Sequence, residues 1–323
     1  MCTAITYQNR NHYFGRNLDL EHAYQETVTI TPRNYPFFFR CKPAMHHHYA
    51  MIGMATVEDG YPLHYEATNE KGLSIAGLNF PDNAVYLPRK AGRDNIAPFE
   101  FIPWILGQCS TVAEAKLLLN RLNLTDIPFS SAFPLTPLHF ILADREQCLT
   151  IEPMSDGLHV QENPVGVLTN NPPFLYQLNN LTNYMNLTRD EPVNRFAPGL
   201  KLAPYSFGMG AIGLPGDLSS ASRFVRAAFT KLNSVCGRTE SESVSQVFHI
   251  LGAVAQQSGC VKVGDKFEKT LYTSCCNTDK GIYYYTTYEN NQITAIQMHH
   301  ENLDSAELIC FPTVRGQQIR WEN

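Results

Sequence analysis

Apolar residues recur along the chain in two patterns, at every second position within short runs and at every third or fourth position within longer stretches. The first pattern is typical of strands and the second of amphipathic helices. Strands are predicted at 2–7, 12–16, 27–31, 51–55, 73–79, 138–143, 149–152, 165–169, 271–274, 282–287, 293–297 and 307–311. Helices are predicted at about 98–108, 111–122, 173–182, 220–232 and 241–257.

Two sequence motifs support the predicted helix starts. Thr111-x-x-Glu114 and Thr239-x-x-Glu242 have the spacing of capping boxes, in which each side chain bonds a free backbone N–H of the first turn. The helix at 241–257 carries an apolar stripe that is typical of a core-facing surface and not of a cofactor site. Its members are Val244, Val247, Phe248, Leu251 and Val254.

The order of the elements predicts the fold class. Strands occupy both halves of the chain and the helices are grouped between them, which favours an α+β layered sandwich. A doubly wound parallel sheet would require stricter alternation of strand and helix. No repeat, charge block or low-complexity linker interrupts the pattern, so residues 1–323 are expected to form a single domain.

The first two strands flank a polar turn at 8–11 and are expected to form a hairpin. If paired residue numbers sum to about 19, Cys2 lies opposite Asn17, with Arg16 and Leu18 beside it. Because the turn length is set only to within a residue or two, a neighbouring register is the alternative. The register that sums to 19 brings Arg16, and Asp19 just beyond it, towards the start of the chain.

Composition and charge narrow the function. The net charge is −5, and no basic stripe or Lys/Arg cluster indicates a nucleic acid or an anionic membrane surface as partner. No apolar run approaches the ~18 residues that span a bilayer, and the N-terminus lacks the pattern of a secretory signal. The nine cysteines include no Cys-x2-Cys pair, so we expect no zinc ribbon and a reduced, cytoplasmic protein.

Three motifs are expected to be structural. The glycines at 208–213 match a dinucleotide-binding fingerprint, but the Leu-Pro-Gly-Asp that follows at 214–217 prevents the required helix, so a loop is predicted. The three histidines at 46–48 are expected in a solvated loop, because neighbouring side chains on a strand diverge. For the same reason Cys275 and Cys276 are expected to place one thiol inward and one outward.

Cys2 follows the initiator methionine directly, and it has two interpretations. As a structural residue it is a small buried side chain in a strand. If Met1 is removed, it instead becomes an N-terminal residue with a thiol nucleophile and a free α-amine. That amine has an ordinary pKa of about 7.7–8.0 and can act as a general base near neutral pH.

Five further residues are candidates for the same site. Arg16 can hold a thiolate or a substrate carboxylate, and Asp19 can orient the amine, although a surface ion pair is the alternative for both. Asn79 and Asn170 each end an apolar strand just before a proline, where an amide can stabilise an oxyanion or simply form a turn. Arg223 lies in the first turn of a helix, where the dipole disfavours a cation, which indicates another role.

These residues lie within motifs that resemble the choloylglycine hydrolase family essentially from end to end. The matching motifs are Met-Cys-Thr at 1–3, Phe-Gly-Arg-Asn-Leu-Asp at 14–19, Asn-Glu-Lys-Gly-Leu at 69–73, Gly-Leu-Asn-Phe-Pro at 77–81, Gly-Val-Leu-Thr-Asn-Asn-Pro at 166–172, Gly-Leu-Pro-Gly-Asp at 213–217, Ser-Arg-Phe at 222–224 and Tyr-Tyr-Thr-Thr-Tyr-Glu-Asn-Asn-Gln-Ile at 284–293.

The resemblance implies an N-terminal-nucleophile hydrolase with an αββα four-layer sandwich, cytoplasmic and usually homotetrameric, without metal or cofactor. It implies cleavage of the amide bond in glycine- and taurine-conjugated bile salts through an acyl-thioester. The catalytic positions that match are Cys2, Arg16, Asp19, Asn79, Asn170 and Arg223.

Penicillin V acylase is the main alternative function, although those enzymes typically carry Tyr in place of Asn79. The alternative from another class is a non-catalytic bile-acid binding protein.

The family alignment also implies an apolar wall for a steroid. It places Leu18, Val57, Tyr65, Phe129, Phe133 and Leu138 around the pocket, with ordinary core packing as the alternative for each. Two positions depart from the family. Glu58 stands where some relatives carry an aromatic residue, and Phe140 stands where close relatives carry Trp. Glu58 is expected to alter the preference between glycine and taurine conjugates or between steroids.

Overall fold

The computed structural model describes residues 1–323. The strands are β1 (Cys2–Gln8), β2 (His12–Leu20), β3 (Thr27–Thr31), β4 (Met51–Glu58), β5 (Tyr61–Asn69), β6 (Ser74–Asn79), β7 (Asp94–Ile96), β8 (Leu122–Leu124), β9 (Leu138–Ala143), β10 (Cys148–Met154), β11 (Gly157–Glu162), β12 (Val167–Leu168), β13 (Val261–Val263), β14 (Lys266–Asn277), β15 (Ile282–Thr287), β16 (Asn290–Gln297) and β17 (Ile309–Pro312). The helices are α1 (Phe101–Gln108), α2 (Val112–Leu119), α3 (Phe174–Asn180), α4 (Ser220–Asn233) and α5 (Glu240–Gly252).

The strands form two large antiparallel sheets and one small parallel pair. Sheet 1 has seven strands in the order β12-β1-β2-β14-β15-β16, with β13 paired to β14. Sheet 2 has eight strands in the order β11-β10-β9-β6-β5-β4-β3-β17. Strands β7 and β8 pair in parallel apart from both sheets.

The two sheets pack against each other, and helices cover both outer faces. Helices α4 and α5 contact β1, β2, β12 and β14 of sheet 1, and α1 contacts β5 and β6 of sheet 2. Neighbouring residues of one strand therefore enter different cores, because strand side chains alternate between faces. Ala76 belongs to the cluster that includes the layer between the sheets, and Ile75 to the cluster beneath α1. This is the layered α+β sandwich that the order of the elements predicted, in the αββα four-layer form that the family resemblance implied.

The β1–β2 hairpin forms, with the neighbouring register that was the alternative and not with the first register predicted. Cys2 pairs with Leu18 and Ala4 pairs with Arg16, so paired numbers sum to 20 instead of 19. Directly opposed residues of an antiparallel pair share a face. The observed register therefore places Cys2 and Arg16 on one face, whereas the predicted register would have separated them.

Several predicted boundaries were also wrong. Strand β2 continues to Leu20, and β5 was missed because the polar run His64-Tyr65-Glu66 obscures its alternation. The prediction also missed β7, β8, β11 and β13. Helix α2 ends at Leu119, because the chain then turns and forms β8 beside β7. Helix α5 ends at Gly252 and not at position 257.

The three motifs assigned to structure are only partly as expected. The glycines at 208–213 form a loop with a 3-10 turn at Met209–Ala211 and no following helix. His48 is buried, contrary to the solvated loop predicted, and its ring contacts two backbone carbonyls. The outward thiol predicted for the Cys275–Cys276 pair was wrong, since both residues are buried: α5 covers one face of β14 and Glu66 of sheet 2 contacts the other. No group of His, Cys, Asp or Glu side chains is placed to hold a metal ion, and no helix is long and apolar enough to cross a membrane.

Gly15 lies in β2, beneath Leu251 of α5. A Cβ at this position would collide with the carbonyl oxygen of Ser274 and would lie 3.3 Å from the side chain of Leu251. We predict that Gly15→Ala lowers the free energy of unfolding by about 1–3 kcal/mol through overpacking. Gly252→Ala is the matched control, since no atom lies within 4 Å of the position that its methyl group would occupy. Urea denaturation of both variants checks this, and equal stabilities would contradict it.

Candidate active site

The Cys2 sulfur lies at the junction of the two sheets, beside a buried cation. Arg16 donates a hydrogen bond from Nη2 to Cys2 Sγ at 2.8 Å, and both residues are buried. This contact depends on the hairpin register, which makes the two residues diagonal neighbours on one face. The sulfur that could act as a nucleophile is thus in direct contact with a guanidinium donor.

Arg16 is held from the other side by sheet 2. Its Nη1 donates to the carbonyl oxygens of Tyr65 at 3.0 Å and Gly77 at 2.8 Å, and lies 3.6 Å from Glu66 Oε2. Burial alone would lower the pKa of Arg16, but the neighbouring Cys2 sulfur, Tyr272 and Glu66 raise it above its ordinary value. The guanidinium is therefore a fixed positive charge that connects the two sheets.

The main chain of Cys2 is bound by two of the other predicted residues. Its backbone N–H donates to Asn170 Oδ1 at 2.8 Å, and its carbonyl oxygen accepts from Arg223 Nη1. Arg223 also donates to Asn170 Oδ1 at 2.7 Å and to Thr3 Oγ1 at 2.7 Å. Burial lowers the pKa of Arg223, and the Asp19 carboxyl opposes this effect. The arginine at the start of α4 thus fixes the Cys2 backbone instead of stabilising its own helix.

Asn170 also connects Cys2 to the second predicted asparagine. Its Nδ2 donates to the backbone carbonyl of Asn79 at 2.7 Å, and its backbone N–H donates to Ser220 Oγ at 2.8 Å. Asn79 ends β6 and lines the cavity that Cys2 borders. The two strand-end asparagines, from different segments, therefore meet beside the sulfur.

Asp19 follows Leu18, the strand partner of Cys2, and so lies on the opposite, helix-facing side of β2. Its Oδ1 accepts from Thr270 at 2.6 Å, while its buried Oδ2 has no hydrogen-bond partner. Burial raises the pKa of the Asp19 carboxyl, and Arg223 and the chain's terminal amine counteract this. Met1 is present, so the Cys2 nitrogen is a peptide amide, and the terminal amine instead lies 2.7 Å from Glu268 Oε1.

A cavity of about 330 Å³ opens from the Cys2 sulfur between sheet 2 and the surrounding loops. Of its 24 lining residues 15 are hydrophobic, so the wall suits an apolar ligand body. Cys2, Arg16 and Asn79 form its polar end. Of the residues predicted to bind substrate, five line it: Leu18, Tyr65, Phe129, Phe133 and Leu138.

Val57, Glu58 and Phe140 complete the set of predicted pocket positions. Val57 does not line the cavity of Cys2. It borders a neighbouring cavity together with Glu58, and only Phe133 among the predicted residues lines both. Phe140 lines the main cavity and packs edge-on against Phe101, with ring centroids 4.6 Å apart. The departure at Phe140 therefore lies in the pocket wall, whereas the departure at Glu58 lies outside it.

Sequence reasoning missed the buried polar groups behind the site. Glu66 accepts hydrogen bonds from the hydroxyls of Tyr272, Tyr283 and Ser274, and burial raises its pKa. His139 and Glu152 form a second buried pair beneath the two asparagines. For His139 and Glu152 the sequence signal was an imidazole or charged residue within an apolar strand, whereas Glu66 lies in the polar run of β5, and neither signal identifies the partners.

The comparisons with known proteins agree with this geometry. The sequence profile of the linear amide C–N hydrolases of the choloylglycine hydrolase family matches residues 2–311. The bile salt hydrolase/transferase of Lactiplantibacillus plantarum is 57% identical over 313 residues, which cover 97% of each chain. A variant of the conjugated bile acid hydrolase from Clostridium perfringens has a TM-score of 0.92 and 37% identity, with 100% of both chains covered.

A more distant structure shares the fold alone. Penicillin V acylase from Agrobacterium tumefaciens has a TM-score of 0.75 at 18% identity, over 95% of this chain and 90% of that one. The chain belongs to the choloylglycine hydrolase family, as its motifs predicted, and is an amide-hydrolysing enzyme of that family. The alternative of a non-catalytic binding protein is therefore not supported.

The contact between Arg16 and Cys2 gives a prediction for thiol reactivity. A hydrogen bond to a charged group contributes about 1.5–3 kcal/mol, so Arg16→Met should slow alkylation of Cys2 by iodoacetamide at neutral pH about tenfold or more. Peptide mapping after timed alkylation measures the rate at Cys2. Arg145→Met, which removes a partly exposed cation paired with Asp279, should leave the rate unchanged. Equal rates for both variants would show that Arg16 does not activate the sulfur.

Proposed function

We propose that this enzyme hydrolyses the amide bond of glycine- and taurine-conjugated bile salts, using Cys2 as an N-terminal nucleophile after removal of Met1. The observation that carries the proposal is the Arg16–Cys2 contact at the polar end of an apolar cavity. The 57% identity to a protein named bile salt hydrolase/transferase supports the choice of substrate. A conjugated bile salt has the matching shape, with a broad apolar body beside one amide.

The reaction begins with transfer of an acyl group to sulfur. The Cys2 thiol gives its proton to its own α-amine, and the thiolate attacks the amide carbon of the substrate. The positive charge of Arg16, 2.8 Å from the sulfur, stabilises the thiolate before attack. Cleavage of the C–N bond forms a thioester, and the protonated α-amine gives its proton to the departing nitrogen of glycine or taurine.

The carbonyl oxygen becomes negative in the tetrahedral intermediate and needs donors. Asn170 Nδ2 and the backbone N–H of Asn79 are the proposed donors, since Asn170 already contacts the Asn79 backbone at 2.7 Å. Loss of one such donor typically raises the barrier by about 2.7–4 kcal/mol. Water then attacks the thioester carbon, giving the free bile acid, and the thiol and amine of Cys2 are regenerated.

Asp19 and Arg223 act on the amine side of Cys2. Arg223 holds the Cys2 carbonyl and orients Asn170 Oδ1, which would then accept from the free α-amine. The Asp19 carboxylate has one buried oxygen without a partner, and we assign it to stabilising the protonated amine. The steroid would lie along Leu18, Tyr65, Phe129, Phe133 and Leu138, with Val57 further from the reacting atoms.

The same thioester allows a second outcome. The Lactiplantibacillus plantarum relative is named as a transferase as well as a hydrolase. If an amine attacks the thioester carbon in place of water, a new amide forms and the Cys2 sulfur leaves as the thiolate. An amino acid added with the bile salt would then be conjugated to the bile acid.

We also propose that the enzyme is a cytoplasmic homotetramer. Nine free cysteines suit a reducing compartment. An apolar segment at 185–207 lies on the surface, and exposed aromatic and aliphatic side chains of this density are typical of protein interfaces. Its members include Met185, Val193, Phe196, Tyr205 and Phe207, the last of which is 92% exposed.

Three substrates separate the candidate activities. Purified enzyme should release glycine from glycocholate and taurine from taurocholate, and it should cleave penicillin V more slowly, because Asn79 stands where penicillin V acylases carry Tyr. Free amino acid and phenoxyacetate are quantified by liquid chromatography. Release of phenoxyacetate with both bile salts intact would favour penicillin V acylase instead.

A Cys2→Ala variant tests the nucleophile in the same assay. Its turnover of both bile salts should be abolished, because no other side chain at the polar end of the cavity provides a thiol. Cys41→Ala, at a partly buried thiol away from that cavity, is the control and should retain activity. Full activity of Cys2→Ala would remove the proposed mechanism.

Light scattering after size-exclusion chromatography tests the assembly. The wild-type chain should elute with the mass of four copies, and Phe207→Ser should lower that mass because it removes apolar contact area. Trp321→Ser, which also removes an exposed aromatic ring, should leave the mass unchanged. A monomeric wild-type protein would contradict the proposed tetramer.

A further inference from the structure

His139 is a buried residue of β9 that has no part in the mechanism above. Its ring Nε2 lies 2.8 Å from the backbone carbonyl oxygen of Thr169, and its Nδ1 lies 3.1 Å from Glu152 Oε1. All three residues are buried. Thr169 directly precedes Asn170, so the ring holds the chain one residue before a proposed oxyanion donor.

The chemistry of the partners fixes where the ring needs hydrogen atoms. A carbonyl oxygen only accepts, so Nε2 must carry a hydrogen to bond Thr169. The other ring nitrogen, Nδ1, lies within hydrogen-bond distance of the Glu152 carboxyl group, at 3.1 Å. Loss of Glu152 or of the ring would leave buried polar atoms without partners, which is costly. The His139–Glu152 pair is therefore a rigid support.

The same ring also contacts the segment that carries Asn79. Phe80 stacks on His139 with ring centroids 4.2 Å apart and planes 5° from parallel. Phe80 directly follows Asn79, and its backbone N–H bonds the carbonyl of Pro137 at 2.8 Å. One imidazole thus contacts the neighbours of both Asn79 and Asn170.

Glu152 extends this support to the start of α3. Its Oε1 accepts from the backbone N–H of Phe174 at 3.0 Å. The segment from Thr169 to Phe174, which includes Asn170, is consequently bonded at both ends to one buried pair. No other titratable side chain makes a hydrogen bond or ion pair with either ring nitrogen of His139.

We propose that His139, supported by Glu152, is a positioning residue that holds the two oxyanion donors, Asn170 Nδ2 and the Asn79 backbone N–H, at the distance the transition state requires. The inference rests on the proposed function. It assigns His139 no contact with substrate and no effect on the Cys2 sulfur, which Arg16 controls. Its loss should therefore act on the transition state and spare both substrate binding and thiol reactivity.

Two near-isosteric variants separate the bonds of the ring. In His139→Gln the amide nitrogen can occupy the place of Nε2 and keep the bond to Thr169, whereas in His139→Asn it reaches only the place of Nδ1. We expect kcat for taurocholate to fall about 10- to 100-fold in His139→Asn, because a small misplacement of reacting groups has effects of this size. KM should stay unchanged, and His139→Gln should recover most of the activity.

Alkylation of Cys2 by iodoacetamide is measured on the same samples, because that reaction forms no oxyanion. Its rate should equal that of the wild type in both variants, which also shows that the site is folded. His159→Gln is the matched control, since His159 forms a similar but partly exposed pair with Asp156 and should keep the wild-type kcat. If His139→Asn does not fold, Phe80→Leu carries the test, with a fall in kcat at constant KM and alkylation rate.

Three results would overturn the inference. The first is a wild-type kcat in His139→Asn, or in Phe80→Leu if that variant carries the test. The second is an equal loss in His139→Asn and His139→Gln, since the bond to Thr169 would then be irrelevant. The third is a fall in alkylation rate parallel to kcat, which would place the effect on the sulfur. A wild-type enzyme that alkylates at Cys2 yet cleaves no bile salt would instead reject the proposed function, and this inference with it.

Discussion

The Arg16 guanidinium holds the two halves of the site together, because it bonds the Cys2 sulfur on sheet 1 and two backbone carbonyls on sheet 2. A fully buried arginine is tolerated only if its donors and its charge are satisfied, because desolvation of a lone charge costs several kcal/mol. Here the Tyr65 and Gly77 carbonyls and the Glu66 carboxyl group supply partners from sheet 2 for Nη1, and only the buried Nε has no hydrogen-bond partner. The nucleophile on sheet 1 and the cavity wall on sheet 2 are consequently held in one arrangement.

The requirement to satisfy buried polar groups explains the surroundings of this contact as well. Glu66 needs the hydroxyls of Tyr272, Tyr283 and Ser274, and Arg223 needs the Cys2 carbonyl and Asn170. These partners come from several strands and loops, so the order of the layers and the position of the site are set together. Removing one member of such a buried network typically costs about 3–5 kcal/mol. The apolar residues of the cavity wall need no hydrogen-bond partners, so substitutions there disturb fewer other residues.

Sequence patterns predicted the layers and most of the site, but only the motifs joined the residues into one centre. Alternation identified β1, β6 and β9 because each has one consistently apolar face. It missed β5, where the polar side chains of His64, Tyr65 and Glu66 bond partners on other strands. Turn length alone does not fix the pairing of two strands. The first register predicted differs by one residue from the observed one, and it would have placed Cys2 and Arg16 on opposite faces of the hairpin. Val57 was placed by alignment, and local strand geometry directs it to the neighbouring cavity instead.

The proposed mechanism requires that Cys2 becomes the N-terminal residue and carries the acyl group during turnover. Rapid acid quenching of the enzyme with taurocholate, followed by intact-mass analysis and peptide mapping, detects both features in one sample. We expect a protein that lacks Met1 and a transient cholyl group, bound as a thioester, on the N-terminal Cys2 peptide. Full turnover by protein that retains Met1, or an acyl group on any other residue, would contradict the mechanism.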